Sequence, residues 1–274
     1  MNRHMFLRCF SIILLLVSLV SSICPATDIS GNVTGVLQTV ASPYHVKANL
    51  LVPSGADLRI QPGVTLIFDG HYYLDVDGVI AVEGTDAQPV TFTATDHNAG
   101  WAGIRIIGNW NDNIFSNAVF EYGRALASYS PPYHSADMEG AGIYLDDGKV
   151  RIDGCVFQYN RATVHGSAFS AQNCVDVSVR NSSFFWNDTT GDCAGYGPLI
   201  FHFANSTDGH SIKLLVDGCE IAHNTARDEA AGLGIISSPT VDPSAVVIAR
   251  RIQIVRIVPG GRKQMAIDDD KRTE

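Results

Sequence analysis

Four stretches of the chain fall on one eleven-residue template, and no other feature limits the fold as tightly. Ile152-Asp-Gly-Cys-Val-Phe-Gln-Tyr-Asn-Arg-Ala162 aligns without gaps on Val179 to Thr189, on Val216 to Ala226 and, more loosely, on Phe115 to Ala125. The third column holds Asn117, Gly154, Asn181 and Gly218; the ninth holds Gly123, Asn160, Asn187 and Asn224. Gly and Asn tolerate left-handed backbone, so both columns read as fixed bends. The fourth column is small (Ala118, Cys155, Ser182, Cys219) and the sixth large and apolar (Phe120, Phe157, Phe184, Ile221), with polar or variable residues between. That alternation marks strands with one buried face. The copies start 37, 27 and 37 residues apart. Such spacing belongs to solenoids, whose units bury their faces only against neighbours. Constant strands with elastic gaps predict loops budding from one side, and the shared phase predicts that Asn160, Asn187 and Asn224 stack at one corner.

Upstream the same rhythm runs through short β-branched or aromatic stretches: Leu58 to Ile60, Val64 to Phe68, Tyr73 to Val76, Val79 to Val82, Val90 to Thr93 and Ile104 to Ile107. Pro62-Gly63, Asp69-Gly70, Asp77-Gly78, Glu83-Gly84 and Gly100 punctuate them. Outside the first residues no segment sustains a helical apolar period for three turns. Sandwich hairpins rarely repeat a turn column at equal phase. The fold expected is all-β, a single-stranded right-handed parallel β-helix.

Ile60-Gln-Pro-Gly-Val-Thr-Leu66, Gly84-Thr85, Pro89-Val-Thr-Phe-Thr93 and Gly100-Trp-Ala-Gly-Ile104 resemble the opening rungs of secreted bacterial right-handed β-helix repeat proteins of the pectate-lyase-like kind. Gly140-Ala-Gly-Ile-Tyr144 with Phe157-Gln-Tyr-Asn160, and Phe184-Phe-Trp-Asn187, are similar to the glycine-rich and Phe-x-x-Asn motifs of polymorphic outer-membrane protein repeats. The resemblance covers roughly residues 50 to 240. It implies adhesins, surface proteins, or lyases and hydrolases of polysaccharides, and specifies a fold more than a reaction.

Residues 1–22 read as a secretory signal peptide: Arg3 and Arg8 precede the apolar run Phe10 to Val20, with Ser21 and Ser22 after it. Cys24 is a poor lipoprotein anchor because Ile23 stands where a small residue is wanted. Residues 23–45 then form a lead-in or cap, 46–258 the solenoid and 259–274 a charged tail. The turn template fails after Pro243, and residues 246–258 are expected to be a last strand or two capping the final rung, with a missing continuation or a frame error near the end as the alternatives. A secreted or cell-surface protein follows, without a transmembrane segment once the signal is removed. Between residues 22 and 250 stand ten basic against twenty-four acidic side chains, a net of −14. A body so acidic argues against nucleic acid as partner.

Cys155 and Cys219 share a column with Ser182 in the rung between, so their backbones should lie roughly 9–10 Å apart, beyond disulfide reach. Cys174 and Cys193 lie near turns and are the pair open to bridging. Of the sequons at Asn32, Asn181, Asn187 and Asn205, Asn187 belongs to the turn column and reads as structural.

Chemistry in such a fold sits on an outer sheet face and the loops beside it. The longest insertion, Leu126 to Glu139, carries Tyr129, Tyr133, His134, Asp137 and Glu139, and a second, Thr190 to Pro198, brings Tyr196; Trp101 and Trp110 flank an earlier rung. Aromatic faces stack on sugar rings and carboxylates bind their hydroxyls, so Tyr129, Tyr133, His134 and Tyr196 are the ligand-binding candidates, with polysaccharide or cell-surface glycan as the partner. A lyase would draw on Asp146, Asp147 and Asp153 with Lys149 and Arg151, and with calcium as its ion. A glycoside hydrolase would draw its two carboxylates from Asp137, Glu139 and Asp146. Neither set matches a catalytic motif, and Asp146-Asp147-Gly148 reads first as a turn. No histidine spacing suggests a metal site and no nucleophile elbow appears.

Overall fold

The structure, a computed structural model, describes residues 26–128, 135–190, 197–203, 211–226, 231–237 and 246–255. Each coil lays one strand on each of three ladders, and every pairing between ladder strands is parallel. On the first ladder Leu50, Leu74, Ile104, Ile143, Phe169, Leu199 and Leu233 lie in register. On the second, Leu37, Ile60, Val82, Phe115, Ile152, Val179, Val216 and Ala249 do so. Tyr44, Leu66, Phe92, Phe120, Phe157, Phe184, Ile221 and Ile254 form the third. The chain is therefore a parallel β-helix. Pairing begins at Thr27–Asn32, which lies on Tyr44–Val52, so the stretch read as a lead-in already coils.

Within each strand burial alternates, as in Leu66 and Phe68 against Thr65 and Ile67, because successive side chains point to opposite faces. The inward phenylalanines form one pile. Phe92, Phe120, Phe157 and Phe184 stack in sequence at centroid separations of 5.0, 4.6 and 4.9 Å, all without solvent contact. Trp101 joins this pile against Phe68 and Phe92 instead of facing a ligand.

The asparagine column is a buried amide ladder. Asn160 Nδ2 donates to Asn187 Oδ1 at 3.0 Å, and Asn187 Nδ2 to Asn224 Oδ1 at 3.0 Å. Each amide also donates to a carbonyl of the phenylalanine column, those of Phe120, Phe157 and Phe184. Gly123 opens the ladder by donating its backbone N–H to Asn160 Oδ1 at 2.8 Å. A Cβ there would stand 2.0 Å from the Ala141 carbonyl, which is why glycine heads the column.

The bends fall partly elsewhere than expected. Third-column residues Asn117, Gly154, Asn181 and Gly218 are left-handed, with φ of 45, 65, 46 and 67°. The ninth column is not. The left-handed residues of that turn are its eighth-column neighbours Tyr122, Tyr159, Trp186 and His223, at φ 50–60°. Asparagine occupies the ninth column for its amide, not its backbone.

Three further expectations are corrected. Asp146-Asp147-Gly148 is no loop turn: it lies inside the strand Ile143–Asp153, where Asp147 at φ 50° and a register shift bend one strand from the first ladder to the second. The template also continues past Pro243. Arg251 at φ 51° takes the third column and Ile254 the sixth, in register with Ile221, so the last strand or two expected here are Val246–Arg250 and Gln253–Val255, and they keep the template's phase. Finally, the long gaps between strands fall along the chain both before first-ladder strands, at 126–142 and 190–198, and after one, at 204–212, so they do not all precede the same ladder.

Cys155 and Cys219 are free and buried, separated by Ser182, whose hydroxyl accepts from the Cys155 N–H at 3.1 Å. Cys193 and the side chain of Cys174 lie outside the described residues. Replacing Asn187 by Ala strands the donors and acceptors of both neighbouring coils and should cost about 1–3 kcal/mol in urea unfolding. Phe184→Ala leaves a gap between two stacked rings and should cost about 3–5 kcal/mol in the same assay. An unchanged midpoint for either variant would overturn this account of the core.

Candidate functional site

Three outer surfaces carry groups able to do chemistry. The first is the face of the first ladder, against which Asp137 and Glu139 rest. Asp137 lies exposed and accepts from Arg105 Nη2 at 2.7 Å, while the Arg105 guanidinium sits 4.0 Å above the Tyr73 ring. Glu139 has no solvent contact and accepts from Ser170 Oγ at 2.9 Å and from Gln172 Nε2. Asp146, beside Gln172 in the register, accepts from Asn173 Nδ2. The carboxylates proposed for hydrolysis are thus brought onto one face, each held by a donor. Tyr144, an outward residue on the same ladder, is buried, and that burial raises its phenol far above the ordinary range. Tyr129, Tyr133, His134 and Tyr196 lie outside the described residues.

The second surface is the outer face of the second ladder. Its columns run Lys149, Asp176, Lys213; Arg151, Ser178, Leu215; and Asp153, Arg180, Asp217, Arg250. They form an open groove of about 480 Å³ over residues 151–153, 176–180, 213–215 and 246–248. Arg151 is pinned, donating to the Asp176 carbonyl at 2.8 Å and pairing with its carboxylate at 2.9 Å. Lys149 pairs with Asp112. Arg180 and Lys213 differ: both are exposed, and neither side chain has a hydrogen-bond or ion-pair partner among the described residues. The set proposed for a lyase is accordingly divided, with Asp146 and Asp147 at the bend and Asp153, Lys149 and Arg151 on the second ladder. Among the described residues no three His, Cys, Asp or Glu side chains gather to hold a metal ion.

Sequence reasoning passed over the third surface, although its signal was an aromatic in every copy at the eighth column. His97, Tyr122, Tyr159, Trp186 and His223 stack in that order along the outside of one corner. The last three separations are 5.5, 5.4 and 5.5 Å at interplanar angles of 8–9°. Left-handed backbone costs such residues about 1–2 kcal/mol each. Ring stacking returns about 0.5–1.5 kcal/mol per pair, so the column largely offsets its own strain. Arg124 ties the corner from within, donating to the carbonyls of Gly123 at 2.9 Å and Tyr159 at 2.8 Å and to that of His97; burial lowers its pKa. The rings cover one another's faces and present edges to solvent.

Residues 31–131 match the family model described as a pectate-lyase like beta helix domain. No curated protein and no solved structure matches the chain significantly. Since the ladders carry on from the matched region to Val255, the chain is a parallel β-helix repeat protein. No helix among the described residues is long and apolar enough to cross a membrane.

At the groove's edge Asp217 accepts from Arg251 Nε at 2.6 Å and from Arg250 at 3.1 and 3.2 Å. The Arg251 hydrogen bond foremost, with Arg250 behind it, holds the carboxyl at about 2 against the opposing effect of burial. The pKa is lowered on folding, so its stabilisation is complete above the unfolded value of about 3.9 and is lost as pH falls from there toward 2. Asp217→Asn should therefore flatten the acid limb of the stability profile between about pH 4 and pH 2 while leaving its shape above pH 5 unchanged, as read by urea midpoints at each pH.

Proposed function

We propose that this is a secreted or surface β-helix that binds polysaccharide, and that its groove on the second ladder takes sugars bearing carboxylates. The reading is carried by Arg180 and Lys213, two cations without partners among the described residues, over an open groove on an acidic chain. Neighbouring charges on that face are already paired, Arg151 with Asp176 and Arg250 with Asp217. Lys213 and Asp217 are four residues apart, and Arg180 lies beside Asp217, so the two cations stand about 13 Å apart along the strand direction. That span suits a short run of sugar units. Arg180 would grip a carboxylate by its planar fork and Lys213 as a point charge. Leu215 and Ile248 between them offer an apolar floor to the sugar's carbon face. Affinity should be modest, since an open groove buries little of its ligand.

The pectate-lyase like match supports a carbohydrate partner and an extracellular setting. A lyase or hydrolase remains the second reading, favoured by the gathering of Asp137, Glu139 and Asp146 on the first ladder. Binding is preferred because those carboxylates are engaged by Arg105, Ser170, Gln172 and Asn173.

The test is a glycan array and titration of the purified chain against neutral and uronate-containing oligosaccharides, with and without calcium. Uronate oligosaccharides should bind, with Arg180→Ala and Lys213→Ala together weakening them at least tenfold and leaving the thermal melt unchanged. Retention that survives this pair and vanishes in Tyr129→Ala with Tyr133→Ala would move the site to the insertion and overturn the groove. Release of shortened or unsaturated products would establish the enzymatic reading.

A further inference from the structure

Partner choice on the second-ladder face is uneven. In the column Lys149, Asp176, Lys213 the aspartate stands beside a lysine on either side. Its carboxylate goes to neither. It pairs instead with Arg151, one column over, at 2.9 Å, and its carbonyl accepts from the same guanidinium at 2.8 Å. Lys149 is taken by Asp112, so this choice leaves Lys213 without a partner among the described residues. The far side of the groove repeats the pattern. Asp217 lies beside Arg180 but is held by Arg250 and Arg251, while Asp153, on the other side of Arg180, accepts from Asn181 Nδ2 at 2.9 Å.

The groove therefore offers positive charge at its two ends and has its central cation neutralised. Ser178 and Leu215 lie between Arg180 and Lys213, in the column that Arg151 heads. A hydroxyl and an apolar side chain do not compensate a carboxylate, and Asp176 beside them repels one. With about 13 Å between the end cations along the strand direction, a single sugar ring does not reach from one to the other. A ligand that engages both ends carries at least one ring over the middle.

We propose that the groove selects glycans in which neutral rings separate the acidic ones, and that Asp176 sets this preference by keeping Arg151 engaged. The proposal rests on the reading of this groove as a site for sugars bearing carboxylates. Asp176 acts as a positioning residue. Without its carboxylate the Arg151 guanidinium keeps only carbonyl acceptors, those of Val150 and residue 176, and its charge is open to the middle ring.

Titration of the purified chain with two hexasaccharides tests this, one of uronate throughout and one of uronate alternating with a neutral hexose. The alternating chain should bind at least as tightly although it carries half the charge; tighter, groove-dependent binding of the homopolymer refutes the selectivity alone. Asp176→Asn should raise homopolymer affinity about tenfold and leave the alternating chain nearly unchanged. Arg151→Gln should weaken both ligands, because Asp176 then turns to its register neighbour Lys213, and the double variant should regain the original preference, a recovery that a merely structural role does not produce. An unchanged preference in Asp176→Asn refutes the role of Asp176. Should that variant fail to fold, the comparison on the unaltered chain and Arg151→Gln decide. If neither hexasaccharide binds, or both bind undiminished with Arg180→Ala and Lys213→Ala in place, the groove is not the site and the proposal falls with it.

Discussion

Everything in this molecule depends on parallel coils stacking in register, so that each inward side chain rests on its counterpart above and below. The buried amide ladder shows how strict the condition is. An amide inside a turn must find its partners in the protein. Here the partner of Asn187 is Asn160 on one side and Asn224 on the other, at 3.0 Å each. A slip of one residue would send every inward side chain outward, so the ladder and the phenylalanine pile enforce the same register from the same turn. Gly123 belongs to this logic as well, ending the column where the Ala141 carbonyl leaves no room for a side chain.

Outward positions are free of that condition, and they have diversified coil by coil. One corner carries stacked aromatics whose mutual contacts balance a left-handed backbone. The second ladder carries alternating charges, most of them neutralised by the next coil. The first carries Glu139, held by Ser170 and Gln172. Among the described residues the pairing is incomplete at Arg180 and Lys213, in contrast to Arg151.

Much of this was legible in the chain. Column identity alone placed Phe120, Phe157, Phe184 and Ile221 inside, stacked the three asparagines and kept Cys155 apart from Cys219, because repetition turns sequence spacing directly into spatial adjacency. Where the template weakened, so did the reading. The last strands were expected but their phase was not, because Arg251 occupies a bend that earlier copies give to Gly or Asn, and register with Asp217 and Ile221 overrode that preference. Asp147 misled for a related reason: Asp-Asp-Gly supplies a left-handed bend, but neighbouring strands pair the residues on both sides of it, so the bend stays inside one strand.

The sequence by itself determined the solenoid, its register and its core, since these follow from periodic contacts between residues at fixed separations. Tertiary structure decided which outer charges are free. Arg151 and Arg180 are alike in the sequence, each with an aspartate two positions away or nearer in the next coil. Only the placement of Asp176 against Arg151, and of Asp217 against Arg250 and Arg251, shows that one arginine is engaged and the other is not. Ion pairing depends on side-chain reach across coils, a matter of ångströms that residue spacing does not contain.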